Sequence, residues 1–309
     1  MDLTLVKPKA LSVLLVEDDP EDVLLVGDML ASDSKTEFVL SRAERLTDAC
    51  RQLLESPVES VLLDLSLPDA DGLEGLTQLR EVAPDVPIVI LSGLEDELLA
   101  VRAVHDGAQD YLVKGHVDGH VLSRSIRYAI ERKHAENELT HEAMHDSLTG
   151  LPNRALFLDR LNQTLARLRR QPHPFAVLFM DLNGFKLIND RLGHAVGDCV
   201  LAAVARRLRG TMRENDTAAR FGGDEFVILC DGISDEQHAK RIVDRISSNL
   251  EPPFTFEGES LFVTTSIGIA FVVPPIHHDG AVLIRAADAA MYRAKEQEAS
   301  SELFDGRTS

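Results

Sequence analysis

The sequence predicts a doubly wound α/β parallel sheet over residues 1–118, a helical connector over 119–145 and an α+β domain over 146–309. Three observations predict this. Continuous apolar runs at 11–16, 38–40, 61–65, 88–91 and 111–113 alternate with stretches of helical periodicity such as 22–30 and 46–54, as expected when helices cover both faces of a parallel sheet. No Gly or Pro interrupts residues 120–149, which suits one long helix. The turn-rich stretch Asp146-Ser147-Leu148-Thr149-Gly150-Leu151-Pro152-Asn153-Arg154 then punctuates the chain before a new helix.

Composition bounds what the chain can be. Its 309 residues suit two domains, and 44% hydrophobic with 27% charged residues describes a globular, soluble protein. No apolar run approaches a membrane span, and residues 1–5 lack the basic start of a signal peptide. Cys50, Cys199 and Cys230 have no metal-ligand spacing and fit a reducing cytoplasm. The net charge of −19 is uneven: residues 1–118 hold 25 acids and 9 bases, and residues 119–309 hold 26 acids and 23 bases. The first part repels polyanions, so nucleic acid is not expected as a partner. The second can take a small anionic ligand.

Ligands of doubly wound sheets bind at the carboxyl ends of the strands. Here those ends carry Glu17-Asp18-Asp19, Asp64, Ser92 and Lys114. Acids converging on one edge repel unless a cation joins them, and an oxygen-only donor set suits Mg²⁺. A carboxylate can accept a phosphoryl group as an acyl phosphate, whose oxygens a cation and a lysine would neutralise. The stretch Val61-Leu62-Leu63-Asp64-Leu65-Ser66-Leu67-Pro68-Asp69-Ala70-Asp71-Gly72 resembles the receiver domain of two-component response regulators. The resemblance implies a flavodoxin-like fold, phosphorylation at Asp64, and metal binding by Glu17, Asp18, Asp64 and the Ser66 carbonyl. It also implies a switch hydroxyl at Ser92, a switch aromatic at Tyr111, a phosphoryl-contacting Lys114, and a sensor histidine kinase or phosphotransfer protein as partner. Gly115 departs from the proline usual after that lysine.

About 27 residues of helix at 119–145 would span roughly 40 Å. Arg127/Glu131 and Arg132/Glu136 stand at i,i+4 spacing, which supports a helix modestly. Leu122, Ile126 and Ala129 fit a coiled-coil seam, but Lys133, Glu136 and Thr140 continue it. A dimerising signalling helix and a solvated linker are both open at this point.

The second domain centres on Phe221-Gly222-Gly223-Asp224-Glu225-Phe226. Alone, these residues read most economically as a β-hairpin turn with solvated acids. Other groups change that. Strand 175–180 ends at Asp181, followed by Lys186, Asn189 and Asp198, then helix 199–209, strands 218–221, 226–229 and 261–271, and helices 235–249 and 281–295. Together with Ala287-Asp288-Ala289-Ala290-Met291-Tyr292-Arg293-Ala294-Lys295, these residues resemble the GGDEF family of diguanylate cyclases, with a nucleotide-cyclase-like fold. The resemblance implies condensation of two GTP into cyclic di-GMP with Mg²⁺ (or Mn²⁺). It implies a metal set of Asp181, the Leu182 carbonyl, Asp224 and Glu225, with Gly222 and Gly223 leaving room for the nucleotide. Glu225 is implied to assist deprotonation of the 3′-hydroxyl or to hold a second metal. Asn189 and Asp198 are the implied guanine readers, and Lys186 and Lys295 the phosphate contacts. As a plainer alternative, Asp198 is a helix N-cap. Arg213 and Asp216 match the family's product-inhibition site, with Arg245 a further candidate; an Arg-x-x-Asp can also be a surface ion pair. Asn183 replaces a common second aspartate, and Glu296-Gln297-Glu298 replaces a Gly-Arg after Lys295.

The expectation is a response regulator in which Asp64 phosphorylation controls cyclic di-GMP synthesis in a homodimer or higher oligomer. Two other readings stand beside it: a catalytically weak protein that binds GTP or cyclic di-GMP as an effector, and a phosphorelay scaffold working through its receiver.

Overall fold

The structure is a computed structural model. It describes residues 10–93, 96–168, 170, 173–256, 259–274, 279–297, 299 and 301–304. The expectations about residues 1–5 and Glu298 lie outside these. The chain divides into two compact units at Thr140/His141.

The first unit runs β1 (Leu11–Val16), α1 (Pro20–Ala31), β2 (Phe38–Ala43), α2 (Leu46–Glu55), β3 (Ser60–Leu63), β4 (Ser66–Leu67), β5 (Ala70–Asp71), α3 (Glu74–Val82), β6 (Ile88–Ser92), α4 (Glu97–His105), β7 (Asp110–Val113) and α5 (Gly119–Met144). Its sheet has the order β2-β1-β3-β6-β7 and every pairing in it is parallel. The two-residue period of the strands sorts the apolar runs onto opposite faces. Leu14, Val16, Val61, Leu63, Ile88 and Ile90 pack with Leu46, Leu76 and Ala103 on one side. Val13, Leu15, Leu62, Val89 and Leu91 pack with Val26, Leu30, Leu122 and Ile126 on the other. Burial on both faces is why the runs read as unbroken rather than alternating.

Two expectations about the connector change. Leu122, Ile126 and Ala129 are buried in the core of the first unit, so they form no free seam. Arg127 turns away from Glu131 to bond Asp33 Oδ2 at 2.6 Å and Thr36, because its helix face lies against the α1–β2 loop. The Arg132–Glu136 pair forms at 3.5 Å.

The second unit contains α6 (Arg154–Leu168), β8 (Phe175–Asn183), α7 (Phe185–Leu192), α8 (His194–Thr211), β9 (Thr217–Gly222), β10 (Glu225–Cys230), α9 (Glu236–Leu250), β11 (Phe254–Phe256), β12 (Glu259–Leu261), β13 (Thr264–Val272), α10 (Gly280–Glu296) and β14 (Ser301–Leu303). The sheet order is β14-β13-β8-β10-β9. β8 lies between antiparallel β13 and β10, and β14 joins β13 in parallel. The expected single strand 261–271 is two: β12 closes a small hairpin with β11, and β13 begins afresh at Thr264. Ala176, Leu178, Met180 and Leu182 face α8 and α9, whereas Phe175, Val177 and Phe179 face α6 and α10. No helix among the described residues is long and apolar enough to cross a membrane.

Candidate functional site

In the first unit, the parallel pairing continues one step past the strands. The Asp64 N–H donates to the Val16 carbonyl at 3.0 Å and the Lys114 N–H to the Ser92 carbonyl at 2.9 Å. This draws Glu17, Asp64, Ser92 and Lys114 to one edge. Lys114 Nζ donates to Glu17 Oε2 at 2.6 Å, Asp22 Oδ2 at 2.7 Å and Asp64 Oδ2 at 2.8 Å. Glu17, Asp64 and Ser92 are buried, and Asp18 is exposed. Oxygens of Glu17, Asp18 and Asp64 all lie within 4.8 Å of one another, a carboxylate donor set that fits a hard divalent cation. Burial raises Glu17 above its ordinary value against the pull of Lys114 and the Asp19 amide, and Asp64 adds repulsion. Burial alone would lower Lys114; its bonds to Asp22, Asp64 and Glu17 outweigh that and raise it. Ser66 begins β4, and its N–H donates to Asp64 Oδ1 at 3.3 Å. Tyr111 lies partly buried beside the core.

Two features of this edge go beyond the sequence reading. Asp22 had no expected role; its one signal is its place in the first turn of a helix that Asp19 caps through the Glu21 N–H. Gly115 has φ +81°, which the fixed ring of a proline cannot adopt. The departure from proline is thus matched by a different loop path.

In the second unit, β10 pairs antiparallel with β8 so that Glu225 stands directly opposite Asp181. The β9–β10 turn places Gly222 at φ +151° and Gly223 at φ +51°, a conformation that glycine adopts at little cost. A register shift follows between Glu225 and Phe226. Lys295, near the end of α10, donates from Nζ to Asp181 Oδ1 at 2.5 Å. Burial, then the neighbouring Asp181, raises Asp224 above the ordinary carboxylate value. Glu225 is raised by burial, then by Asp288, Asp181 and Asp224. Four acids crowd one edge and repel, as a site built for a cation would. Among the described residues, however, Asp181, Asp224 and Glu225 do not form a group with donor atoms all within 4.8 Å.

Other expected residues fall as follows. Leu182 is buried, its side chain in the core. Lys186 and Asn189 lie on α7, and Asp198 lies on α8. Asp198 is not an N-cap: α8 begins at His194 after Gly193, so Asp198 is inside the helix, and exposed. The earlier start arises because Gly193, at φ +85°, turns the chain directly from α7 into α8. Asn183 is tied to β13, donating to Thr264 Oγ1 at 3.2 Å and accepting from Ser266 Oγ at 3.0 Å. α10 ends at Glu296, with Gln297 as its C-cap.

Arg213 and Asp216 do not form the simple surface ion pair. Asp216 is buried and accepts the N–H of Arg213 at 3.0 Å and of Asp231 at 3.3 Å. The exposed Arg213 side chain borders a cleft of about 280 Å³ with His173, Asn215 and Gly232. Asp216, Arg245 and Arg213 all act on the buried thiol of Cys230, which burial chiefly pushes up, so Arg245 shares this neighbourhood.

Arg220 and Asp288 had no expected role. Arg220 is the one charged residue of the strand Thr217–Gly222, and that lone charge is its signal. It bonds both oxygens of Asp146 and the carbonyl of Gly223. Bonds from Thr149 and Arg220 lower Asp146 below the carboxylate range despite burial, the largest single influence.

Comparison with known proteins follows the same division. The chain is 46% identical over 174 residues to the diguanylate cyclase TpbB of Pseudomonas aeruginosa, covering 55% of this chain and 40% of that protein. It is 33% identical over 251 residues to the response regulator PleD of Caulobacter vibrioides, covering 77% of this chain and 55% of PleD. It thus spans about half the length of these relatives. The crystal structure of the GGDEF domain of DgcB from Caulobacter crescentus in complex with c-di-GMP matches with a TM-score of 0.50 at 26% identity, covering 53% of this chain and 98% of that one. The family model of the response regulator receiver domain matches residues 13–126, and that described as diguanylate cyclase, GGDEF domain matches residues 143–301. The chain belongs to the GGDEF domain family and carries a response regulator receiver domain ahead of its GGDEF domain.

Proposed function

We propose that this chain synthesises cyclic di-GMP from two GTP, and that phosphorylation of Asp64 controls the synthesis. The observation that carries the first part is the facing of Glu225 and Asp181 across β10 and β8, with Lys295 on Asp181 and an open glycine turn beside them. Asp181, Asp224, Glu225 and the Leu182 carbonyl would hold Mg²⁺ or Mn²⁺, which when bound neutralises the triphosphate. Lys186 and Lys295 contact phosphate oxygens. Asn189 and Asp198 read guanine, the carboxylate accepting from its N1–H and N2–H₂ and the amide serving the same base edge beside the 2-amino group. Each 3′-hydroxyl attacks the α-phosphate of the other nucleotide and pyrophosphate leaves, Glu225 taking the proton of the hydroxyl. One domain holds one GTP, so two copies of the chain must meet.

Several observations support control by the first domain: the carboxylate set of Glu17, Asp18 and Asp64, the buried Ser92, and Lys114 bonded to the acceptor. A histidine kinase or phosphotransfer protein would supply the phosphoryl group. Arg213, Asp216 and Arg245 bind the product and slow the enzyme, a role supported by the cleft beside Arg213 and the shared neighbourhood of the three groups.

The test is product formation from GTP and Mg²⁺, read by chromatography. The wild type is expected to form cyclic di-GMP and the Asp224→Ala/Glu225→Ala variant none. Residual synthesis by that variant refutes the site. GTP binding without turnover by the wild type refutes the enzymatic reading in favour of an effector.

A further inference from the structure

Gly197 lies buried at the end of the first turn of α8, with helical backbone. Nothing in its conformation asks for glycine, and alanine is the better helix former there. The demand for a missing side chain comes from α7. A Cβ on Gly197 would stand 1.9 Å from Asn189 Oδ1, 3.0 Å from Asn189 Cγ and 3.2 Å from Phe185 Cζ. Asn189 Oδ1 is itself buried and has no hydrogen-bond partner among the described residues. No bond on that oxygen holds the amide where it is. It rests there because residue 197 leaves the volume open, and interiors have little slack to supply volume elsewhere.

We propose that Gly197 is a specificity-determining positioning residue: it provides the space that fixes the Asn189 amide, and a side chain at 197 turns that amide away from the nucleobase. This rests on the reading of Asn189 and Asp198 as guanine contacts. The adjacency is built into the chain, because Gly193 folds α7 back onto α8 and so brings Asn189 against the residue that precedes Asp198. The obstructed atom is the end of a flexible side chain, so the fold accommodates a methyl group by rotating Asn189. The fold survives that rotation and the base-reading geometry does not.

The test is a double-mutant cycle in the full chain with Asn189→Ala, Gly197→Ala and both together. Initial rates with GTP and inosine triphosphate, which lacks the exocyclic 2-amino group, give KM, kcat and base preference. Equilibrium binding of the two nucleotides gives the same comparison independently of turnover. Gly197→Ala is expected to raise the KM for GTP about tenfold, to shrink the preference for GTP over inosine triphosphate, and to leave kcat within about twofold. Added to Asn189→Ala, it is expected to change neither KM nor preference further, because the amide it displaces is gone. Its melting temperature in that background is expected to match or exceed that of Asn189→Ala alone. An unchanged KM and preference in Gly197→Ala, with Asn189→Ala impaired, overturns the proposal and leaves the guanine reading intact. Additive losses in the double variant overturn it as well, since Gly197 would then act through another group. An Asn189→Ala variant with wild-type KM and preference removes the guanine reading itself, and the proposal with it.

Discussion

Arg220 grips Asp146 with Nη1, at 3.0 Å from Oδ1 and 3.1 Å from Oδ2, while its Nε and Nη2 hold the carbonyl of Gly223 at 3.0 and 2.8 Å. One guanidinium thus joins the first residue of the 146–154 turn to the glycine turn that carries Asp224 and Glu225. The turn is tied a second time by the Arg220 N–H to the Pro152 carbonyl at 3.0 Å. Asp146→Asn is expected to cost about 2 kcal/mol, since hydrogen bonds to a charged group weaken and part of the guanidinium is left unpaired. Because Asp146 is held below the ordinary carboxylate range, its contribution is present above that range and lost as pH falls through its lowered value. Denaturant melts of the wild type and variant are expected to converge in acid. Equal stability at neutral pH would contradict the role of the pair.

Asp224 and Glu225 are both raised by burial and by neighbouring acids, and the sign of the linkage is opposite. An acid with a raised folded pKa binds more protons folded than unfolded, so stability falls as pH rises from the ordinary carboxylate value through the raised one. Without divalent ions, Glu225→Gln is expected to melt higher than the wild type at pH 7 while losing synthesis. Mg²⁺ is expected to raise the wild-type melting temperature more at pH 7 than at pH 4. A Glu225→Gln variant no more stable than the wild type without metal would show that the acids do not repel.

At the receiver edge, Lys114 is the cation shared by Glu17, Asp22 and Asp64. Lys114→Ala leaves buried carboxylates uncompensated and is expected to cost about 3–5 kcal/mol. Because Lys114 is raised above its ordinary value, its contribution is complete below that value and constant across neutral pH. Asp22→Asn, which removes the charge of one of three partners at a partly exposed site, is expected to cost about 1 kcal/mol. Thermal melts of the two variants check the order; a larger loss from Asp22→Asn would contradict it.

The bond from the Arg213 N–H to the buried Asp216 carboxylate shapes the turn without using the guanidinium. Arg213→Ala is therefore expected to keep the fold and to leave the initial rate within about twofold, while product accumulates to higher concentration before synthesis slows. Progress curves check this. An unchanged plateau would contradict the inhibitory role.

Much of this was legible because the relevant chemistry sits at the ends of elements. Apolar runs locate strands, and the residue after each run is then the residue at the sheet edge. Glu17, Ser92, Lys114 and Asp181 follow that rule, whereas Asp64 falls inside the run 61–65 and is set at the edge because the strand itself stops at Leu63. Side chains that reach across the fold were not legible. Asp22 on α1, Arg220 to Asp146 and Arg127 to Asp33 depend on which elements become neighbours, and local periodicity does not encode that. Leu122, Ile126 and Ala129 have the spacing of a seam and of a core face alike, and burial against the sheet decides between them. Asp198 was placed one turn too early in its helix because Gly193 and Gly197 resemble breaks, although one starts the helix and the other lies within it.

The proposed control joins the two domains: phosphorylation of Asp64 in the first is expected to govern GTP condensation in the second. The direct measurement is the rate of cyclic di-GMP formation with Mg²⁺, before and after beryllofluoride, for the wild type and Asp64→Asn. Beryllofluoride is expected to raise the wild-type rate and to leave Asp64→Asn unchanged. Equal wild-type rates with and without beryllofluoride, in protein that forms product, would contradict it.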